Sequence, residues 1–341
     1  MSHQQSEQQP GVLAIDAGNS KTDIALVSAD GRVLGSARGG GFQPQRTSPE
    51  HAVAAFAPLV ASIAEQAGLD ARPGAAPLTS HLSACLANAD LPIEEKQLQT
   101  ALAAHGWATS THVANDTFGL LRAGTDGPLG VAVVCGAGIN CVGLRPDGRT
   151  ARWPALGSLT GDWGGGAGLA TEAMWLAARA EDGRGEPTLL SAMIGAHFGL
   201  AGANAVAEAM HLGQLDPARL HEVSHVLFAA GEAGDPIALE VIDRQADEIV
   251  RFATVALTRL GLLEQPVPVV LGGGVLAARH PLLLDNVTAR LAATAPLAEP
   301  RVVIAPPVLG AALLGLDHLG ADLPTQRRLR DAYPTHHPVA A

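Results

Sequence analysis

The stretch GVLAIDAGNSKTDIALV, residues 11–27, decides how this chain is expected to begin its fold. Its two ends, residues 12–15 and 24–27, are short apolar runs of the kind that form buried strands. A polar turn, residues 16–23, separates them and carries carboxylates, a lysine and hydroxyl groups. The pattern predicts a hairpin whose strands lie in a core and whose polar tip is available to a ligand.

The composition indicates a folded chain without a surface for nucleic acid. The 341 residues have room for two domains, or one large one, around a packed core. Apolar residues make up 47% of the sequence and charged residues 16%, and the formal net charge is −11. Because nucleic-acid phosphates are bound by clustered lysine and arginine, we expect no nucleic-acid partner.

Three sequence features indicate the compartment. No apolar run reaches the roughly 20 residues that span a bilayer. The first ten residues, MSHQQSEQQP, lack the apolar segment of a secretion signal. The cysteines, Cys85, Cys135 and Cys141, follow no zinc-ligand spacing. We therefore expect a reduced, cytoplasmic protein with no membrane partner.

Strand and helix patterns repeat along the chain. The opening hairpin, a third strand and a helix capped by Ser48 begin a βββαβαβα order that ends near residue 124. The same order then begins again, enlarged by helical insertions. The expected helices include residues 48–68, 92–106, 117–124, 235–261, 281–295 and 307–320, and the expected strands include 31–40, 81–87, 110–116, 129–138, 139–148, 149–155, 267–273 and 301–306.

This repeat predicts an α/β protein of two domains, each with a mixed sheet flanked by helices. We expect the first domain over residues 11–118 and the second over residues 119–324, with tails at 1–10 and 325–341. A cleft between the two halves is expected, and such clefts are common ligand sites.

Each half opens with a strand, a glycine-rich tip and a second strand. The tips are DAGNSKT at residues 16–22 and CGAGIN at residues 135–140. Glycine accepts positive φ and has no side chain, so successive N–H groups can face one concavity that holds phosphate oxygens. Hairpin turns also use glycine for structural reasons alone. Two such tips, one opening each half, favour a nucleotide site.

Two aspartates follow strands at positions suited to chemistry. Asp16 ends the first strand, where it either caps a turn or partners Mg²⁺, which prefers oxygen ligands. Lys21 and the hydroxyl groups of Ser20 and Thr22 add donors for phosphates. Asp116 follows a later strand, where it either caps a helix or acts as a general base.

Two further glycine-rich turns lie in the second half. Gly161-Asp162 leads through Trp163 into a helix, so Asp162 either caps that helix or holds adjacent sugar hydroxyls. VVLGGGV, residues 269–275, is a strand that runs into three glycines. These glycines either form a tight turn or allow a base or ribose to approach the backbone.

In this order and spacing, the five elements resemble the actin-like ATPase fold found in hexokinase and acetate kinase. Within that superfamily, residues 11–320 most resemble the N-acetylglucosamine kinase family, grouped with the BadF/BadG/BcrA/BcrD-type ATPases. The resemblance implies two actin-like (ribonuclease H-like) domains, each a mixed five-stranded sheet flanked by helices. It also implies ATP and Mg²⁺ as cofactors and a homodimer.

The resemblance assigns roles position by position. Asp116 would be the base for the 6-hydroxyl of the sugar, and Asp16 would be the partner of the metal. The implied substrate-binding residues are Gln43, Asn115, Asp116, Ala155, Leu156, Gly161, Asp162 and Trp163. The implied nucleotide-binding residues are Asp16, Gly18, Asn19, Ser20, Lys21, Thr22, Gly136, Ala137, Gly138, Gly272, Gly273 and Gly274.

The chain departs from the family pattern at several of these positions. Ala17 replaces the second residue of D-G-G-x-T-K-T, and Ala137 replaces a phosphate-binding threonine. Trp163 replaces the glutamate of G-D-E-G, and Gln43 stands where the family has asparagine. WPALG, residues 153–157, replaces G-G-W-G. Phosphoryl transfer is therefore better supported than the identity of the sugar.

The resemblance implies ATP-dependent phosphorylation of N-acetyl-D-glucosamine at its 6-hydroxyl, with glucosamine or another hexose as the near alternative. The expected partners are thus a small sugar and ATP. A second interpretation is the ATPase branch of the family, which activates acyl-CoA reductases and dehydratases through an iron–sulfur cluster that bridges subunits. The cysteines of this chain are better explained as small core residues. A third interpretation, a sugar sensor without catalysis, is disfavoured by Asp116.

Overall fold

The structure, a computed structural model, describes residues 10–333. The predicted tails therefore lie outside the described residues over 1–9 and 334–341. Within the described part the strands are β1 (Pro10–Ala17), β2 (Thr22–Ser28), β3 (Val33–Gly39), β4 (Thr79–Leu86), β5 (Ala108–Asn115), β6 (Gly130–Cys135), β7 (Ile139–Leu144), β8 (Thr150–Arg152), β9 (Val267–Gly272) and β10 (Ala298–Val302).

The helices follow the predicted order, with additional helices between residues 165 and 232. They are α1 (Pro49–Ala54), α2 (Ala57–Gln66), α3 (Pro92–Ala103), α4 (Asp116–Ala123), α5 (Gly165–Glu181), α6 (Leu190–Phe198), α7 (Ala203–His211), α8 (Val223–Glu232), α9 (Pro236–Leu260), α10 (Gly274–Ala277), α11 (Pro281–Thr294), α12 (Pro307–His318) and α13 (Leu323–Asp331). Short 3₁₀ helices occupy Pro44–Arg46, Gly157–Leu159 and Pro217–Glu222.

The described chain divides into two compact units. The first comprises residues 10–132, 144–149 and 303–333, and the second comprises residues 133–143 and 150–302. This division differs from the predicted boundary at residue 118, because the chain returns to the first unit near its end. There α12 packs against β1 and against α4, so both ends of the chain contribute to the first unit.

The first unit is built on a five-stranded mixed sheet of order β3-β2-β1-β4-β5. β1 and β2 pair antiparallel, as the opening stretch predicts, and β2 and β3 do the same. β4 is parallel to β1, and β5 is parallel to β4. All residues of β2 are buried, as are all residues of β1 after Pro10, which fits a strand pair at the centre of a covered sheet.

The second unit is built on a sheet of order β10-β9-β6-β7-β8. Two five-stranded sheets with flanking helices confirm the predicted fold class. The last strand begins earlier than the apolar run suggests, at Ala298 rather than Arg301. Parallel pairing with β9, from Ala298 opposite Val267 to Val302 opposite Leu271, sets its bounds.

The predicted helix over residues 48–68 is two helices. Ser48 is the N-cap, as predicted, and its side chain accepts a hydrogen bond from the N–H of His51 at 3.2 Å. α1 then ends at Ala54, and α2 restarts with Pro58 at its second position. Proline has no N–H for the carbonyl one turn earlier and crowds it, so the chain turns before Pro58.

The predicted tail from residue 325 is wrong for the part that the structure describes. Residues 323–331 form α13, in which Leu329 is fully buried. The guanidinium of Arg330 donates to the carbonyl oxygen of Ala123 at 2.7 Å and also contacts that of Thr125. The polar composition of this segment reflects a helix with one buried face.

Among residues 10–333 no individual helix has the length and apolar character to cross a membrane, although the bent pair α6 and α7 meets that criterion when taken together.

Candidate active site

The predicted chemistry of the first unit gathers at the carboxyl edge of its parallel strands. Ala17 at the end of β1 lies opposite Leu86 of β4, and Leu86 lies opposite Asn115 of β5. Asp16, in β1, and Asp116, just after β5, therefore lie at the same edge of the sheet with the end of β4 between them, and open α/β sheets bind ligands at this edge. The structure brings these two predicted residues together.

Asp16 is a buried carboxyl group beside other acids. Its residue surface is 6% exposed, and it lies opposite Asp23 in the β1–β2 pair. Burial, then the nearby Asp116 and Asp23, raise the pKa of Asp16 to about 8, although Lys21 acts in the opposite direction. The group is therefore held where a cation would be favoured.

Asp116 is the first residue of α4 and is partly exposed. Its surroundings desolvate the carboxyl group and raise the pKa of Asp116 to about 6, although backbone N–H groups of Thr117 and of Asp116 itself oppose the shift. Such a pKa is close to the working pH of a general base.

Asn115, rather than Asp116, is the N-cap of this helix. The side-chain oxygen of Asn115 accepts from the N–H of Thr117 at 3.1 Å, and its amide donates to Asp90 at 2.8 Å. Asn115 is only 2% exposed. The N-cap position that the sequence allowed for Asp116 therefore belongs to Asn115.

The first glycine-rich tip is a tight turn with exposed side chains. It is closed by the Gly18 N–H, which donates to the carbonyl of Lys21 at 2.8 Å. Asn19, Ser20 and Lys21 are exposed, as a ligand-binding tip requires. The ammonium of Lys21 lies 3.4 Å from the carboxylate of Asp23.

The loop that carries Gln43 packs directly on this tip. The buried hydroxyl of Thr22 donates to the Gly40 carbonyl at 2.9 Å, so it holds the loop. A side chain at Gly41 would place its Cβ 2.1 Å from the carbonyl oxygen of Asn19. The Gln43 amide itself donates to that same oxygen at 3.3 Å. The predicted sugar residue and the predicted phosphate turn are thus neighbours.

Sequence reasoning missed Asn88. It lies two residues beyond the end of β4, at φ 63°, and its amide donates to the side chain of Asn19 at 2.9 Å. A polar residue just after a parallel strand, at the edge where Asp16 and Asp116 lie, was the available signal.

In the second unit, three glycine-rich segments pack on one another. The N–H of Gly166, in the first turn of α5, donates to the carbonyl of Gly136 at 2.7 Å. Gly165 has φ 73°, and a Cβ there would lie 2.4 Å from the Gly138 backbone. A Cβ at Gly273 would lie 2.4 Å from the backbone of Cys135. The predicted second phosphate tip, the residues after Asp162 and the predicted adenosine loop therefore meet.

Asp162 lines a cavity of about 180 Å³ between the segment at residues 153–163 and α9. The hydroxyl of Thr160 donates to its carboxylate at 2.6 Å. The other lining residues include Trp153, Glu248, Arg251 and Phe252.

Two tryptophans on this segment are each covered by an arginine of α9. The guanidinium of Arg244 lies 3.9 Å from the ring centroid of Trp163, and that of Arg259 lies 4.5 Å from that of Trp153. These cation–π contacts hold both rings in place, and Trp163 is one of the predicted substrate-binding residues.

Ala155 and Leu156, the predicted acetamide-side residues, lie in the turn between these tryptophans. Ala155 adopts φ 51°, which is unusual for a residue with a side chain. Leu156 is 40% exposed, and its N–H donates to the Thr160 hydroxyl at 2.9 Å. The turn presents an apolar side chain to solvent at the position assigned to the sugar.

All three cysteines are buried. Cys85 lies in β4, and Cys135 and Cys141 lie in the second sheet. Burial raises the pKa of the Cys135 thiol to about 12 and also raises the pKa of Cys85 and Cys141. They behave as core residues, as predicted, and none presents a thiolate at a surface.

Two five-stranded sheets of this order, with glycine-rich tips at their edges, define an ATPase of the actin-like fold. The chain belongs to the BadF/BadG/BcrA/BcrD ATPase family, because the model of that family matches residues 13–315. The resemblance drawn from the sequence motifs is thereby confirmed.

Individual relatives show lower similarity. An N-acetylmuramic acid/N-acetylglucosamine kinase of Clostridium acetobutylicum is 23% identical over 271 residues, which cover 78% of this chain and 85% of that protein. An N-acetyl-D-glucosamine kinase of Dictyostelium discoideum is 26% identical over 219 residues, covering 62% and 67%. A crystal structure described as a candidate N-acetylglucosamine kinase, from Chromobacterium violaceum, superposes with a TM-score of 0.69 at 22% identity, covering 90% and 99%.

Proposed function

We propose that this protein transfers the γ-phosphoryl group of ATP to the 6-hydroxyl of N-acetyl-D-glucosamine or a closely related amino sugar. The observation that carries the proposal is the pair Asp16 and Asp116 at one sheet edge, beside an exposed glycine-rich tip. Membership in an ATPase family supports the nucleotide, and the names of the two related kinases support the amino sugar.

Asp116 is the proposed general base. As a carboxylate it accepts the proton of the attacking hydroxyl, so that the oxygen gains nucleophilic character as it approaches the phosphorus. Its raised pKa, about 6, makes it a stronger base than an exposed aspartate while it stays ionised at neutral pH. Asn115 acts in this proposal by holding the first turn of α4 rather than by direct contact with the sugar.

Asp16 is the proposed protein partner of Mg²⁺. Its carboxylate oxygens are the hard donors that Mg²⁺ prefers. The negative charges of the nearby Asp116 and Asp23 also favour a cation beside it. The donor set therefore fits the ion. When bound, Mg²⁺ neutralises charge on the phosphates. The side chains of Asn19, Ser20 and Lys21 are exposed, and we propose that they contact the same phosphates.

The residues of the second unit have proposed roles in binding. Gly136, Ala137 and Gly138 offer backbone to the phosphates, and Gly272 to Gly274 offer it to the adenosine. The carboxylate of Asp162 accepts hydrogen bonds from adjacent sugar hydroxyls at the mouth of its cavity. Trp163, held by Arg244, lies beside them.

A coupled assay of ADP release tests the proposal. Purified protein is given ATP, Mg²⁺ and, in turn, N-acetylglucosamine, N-acetylmuramic acid, glucosamine, glucose and N-acetylmannosamine. We expect ADP release that depends on an amino sugar, and a product whose phosphorus couples to the C6 protons in NMR spectra. ADP release that none of these sugars accelerates would refute the proposal.

The same assay separates the two alternative functions. A sugar sensor would bind N-acetylglucosamine in calorimetry without releasing ADP. An ATPase that activates a reductase would hydrolyse ATP without sugar and would lose its partner function when cysteines are replaced. The burial of all three thiols counts against that function. A homodimer is also proposed, and light scattering on the purified protein tests it.

A further inference from the structure

Asn88 has a backbone conformation that side chains rarely adopt. Its φ of 63° lies in the left-handed region, which is unfavourable for most residues with a side chain. Asparagine tolerates this region better than other residues with a side chain, because its short amide can bond locally. Asn88 follows β4 directly after Ala87, so the strained turn lies at the carboxyl edge of the sheet that also carries Asp16.

The strained conformation aims the amide at two different segments. The side-chain nitrogen of Asn88 donates to the side-chain oxygen of Asn19 at 2.9 Å and to the carbonyl of Phe42 at 3.1 Å. The backbone carbonyl of Asn88 accepts from the side chain of Gln45 at 3.1 Å. One residue therefore bonds both to the tip of the first hairpin and to the loop that carries Gln43.

The hairpin tip has exposed side chains, and the loop enters the hydrophobic core through Phe42. Asn19, Gln43 and Gln45 are exposed, and Phe42 is the buried anchor of the loop. Other links between the two segments are the Phe42 N–H, which donates to the Gly18 carbonyl at 2.9 Å, the bond from Gln43 to Asn19, and the bond from the Thr22 hydroxyl to the Gly40 carbonyl. Exposed turns of this kind are mobile unless polar contacts order them.

We propose that Asn88 is a positioning residue that holds Asn19 and the Gln43 loop in one fixed geometry. The inference rests on the proposed function, in which Asn19 contacts phosphate and Gln43 contacts sugar. Ordering both segments before binding reduces the conformational entropy that each ligand must remove. Loss of the Asn88 amide therefore weakens the binding of both ATP and sugar, although Asn88 contacts neither ligand.

Three variants test the role of the amide. Asn88→Asp keeps the size and the tolerance of positive φ, but it replaces the donor with a carboxylate that faces two acceptor oxygens. Asn88→Gly keeps the backbone conformation and removes the amide. Asn204→Asp, on the exposed first turn of α7, is the matched control because it makes the same chemical change away from every proposed site residue.

We expect the KM values for ATP and for the sugar each to rise by about tenfold in both Asn88 variants, while kcat falls by less than about threefold. Asn204→Asp should leave all three constants unchanged. If the Asn88 variants lose thermal stability but keep both KM values within about twofold, the residue is merely structural and the proposal is overturned.

Calorimetric titration with a non-hydrolysable ATP analogue separates this proposal from the proposed function. If the wild type phosphorylates no sugar yet binds the analogue, the kinase assignment fails, and weaker analogue binding by Asn88→Gly still supports the positioning role. If the wild type is an active kinase and Asn88→Gly binds analogue and sugar as tightly as the wild type, only the positioning role fails. A wild type that binds neither ligand would end both.

Discussion

Asp116 is not the N-cap of its helix, because Asn115 occupies that position. Aspartate at the start of a helix ordinarily accepts a hydrogen bond from the first turn and thereby has its pKa lowered. Here Asn115 is the N-cap, and desolvation outweighs the N–H groups of Thr117 and of Asp116 itself, so the pKa of Asp116 is raised to about 6. Asn115 therefore caps the helix, and the adjacent Asp116 is the residue proposed for the chemistry.

Replacement of this carboxyl group tests its role as base. Asp116→Asn keeps the volume of the side chain and removes its basicity, so we expect kcat to fall by about 10²–10⁴-fold. Affinity for ATP should change by less than about threefold, because the phosphate-binding tips stay intact. Steady-state kinetics and titration with an ATP analogue measure the two effects. Turnover near the wild-type level would remove Asp116 from the mechanism.

His81 makes stability depend on pH. Burial lowers the pKa of His81 to about 4, and His318, stacked 4.0 Å away, and His112 lower it as well. As pH falls below about 6.5, the ordinary pKa of histidine, the unfolded chain binds a proton at this residue that the folded chain does not. Stability is therefore complete above that pH and decreases as pH falls toward 4.

We expect His81 to make the protein about 1–2 kcal/mol less stable at pH 4.5 than at pH 7. Urea unfolding at both pH values measures the difference. In His81→Gln the glutamine amide can replace the bond between His81 and Ser110, and the difference should shrink by that amount. An unchanged difference in this variant would mean that other groups govern the acid response.

What the sequence reveals about single side chains depends on where their partners lie. Asp16 and Asp116 were predictable because each follows its own strand. The hydrogen bond from Asn115 to Asp90 was not predictable, because it joins side chains 25 positions apart. The ion pair of Arg38 with Asp23 was equally hidden, because the pairing register of β2 and β3 brings those groups together.

The glycine-rich segments of the second unit act as one stacked element. Gly165 in α5 lies against Gly138 of the hairpin, and Gly273 lies against Cys135. Each loop was identified from its own glycines. Their mutual packing was not predictable, because the sequence does not distinguish a glycine that allows a ligand to approach from one that allows another backbone segment to approach. Similarly, Pro58 was visible, yet only the structure locates the break between α1 and α2.

Gly165→Ala tests whether this stack supports nucleotide binding. Its Cβ would meet the Gly138 backbone, and its φ of 73° disfavours alanine, so the hairpin tip must move. A displacement near 1 Å at a binding group can reduce catalytic efficiency about 10²-fold, so we expect kcat/KM for ATP to fall by at least about tenfold.

Gly168→Ala is the matched control in the same helix. No neighbouring atom lies within 4 Å of its added Cβ, and alanine favours helices, so stability should rise by up to about 1 kcal/mol with kcat/KM unchanged. Equal effects of the two substitutions on kinetics would argue that the hairpin tip is not a phosphate site.

A buried arginine fastens the end of the chain to the first unit. Arg122 in α4 is 1% exposed, and its guanidinium donates to both carboxylate oxygens of Asp317 in α12, at 2.6 and 3.1 Å. It also donates to the side chain of Gln326 in α13 at 2.6 Å and to the Thr125 carbonyl at 2.7 Å. Each of the three guanidinium nitrogens thus donates at least one hydrogen bond, which is the condition for a favourable buried charge.

Removal of the cation should be costly. Arg122→Met leaves Asp317 without its charged partner, and we expect the free energy of unfolding to fall by about 3 kcal/mol. Arg72→Ala removes an exposed pair with Asp70 and should leave the free energy of unfolding close to that of the wild type. Denaturant titration of both variants gives the comparison. Similar small losses would show that α12 and α13 are held by their apolar faces alone.

The two-unit architecture was predictable because the βββαβαβα order repeats. The return of the chain was not. A sequence pattern assigns α12 and α13 to their neighbours along the chain, whereas Arg122, Asp317 and Gln326 join segments about 200 positions apart. The arginines of residues 327–330 resembled a solvated tail for the same reason: their partners are distant in sequence.

The use of both chain ends for one unit also has a consequence for synthesis. The face of the first sheet that includes Val12 and Ala14 is covered by Leu309, Leu313 and Leu316 of α12. While the ribosome is still making the second unit, that face lacks the cover of α12. A nascent chain that stops before α12 therefore exposes an apolar surface, so chaperone binding should persist until α12 has been translated.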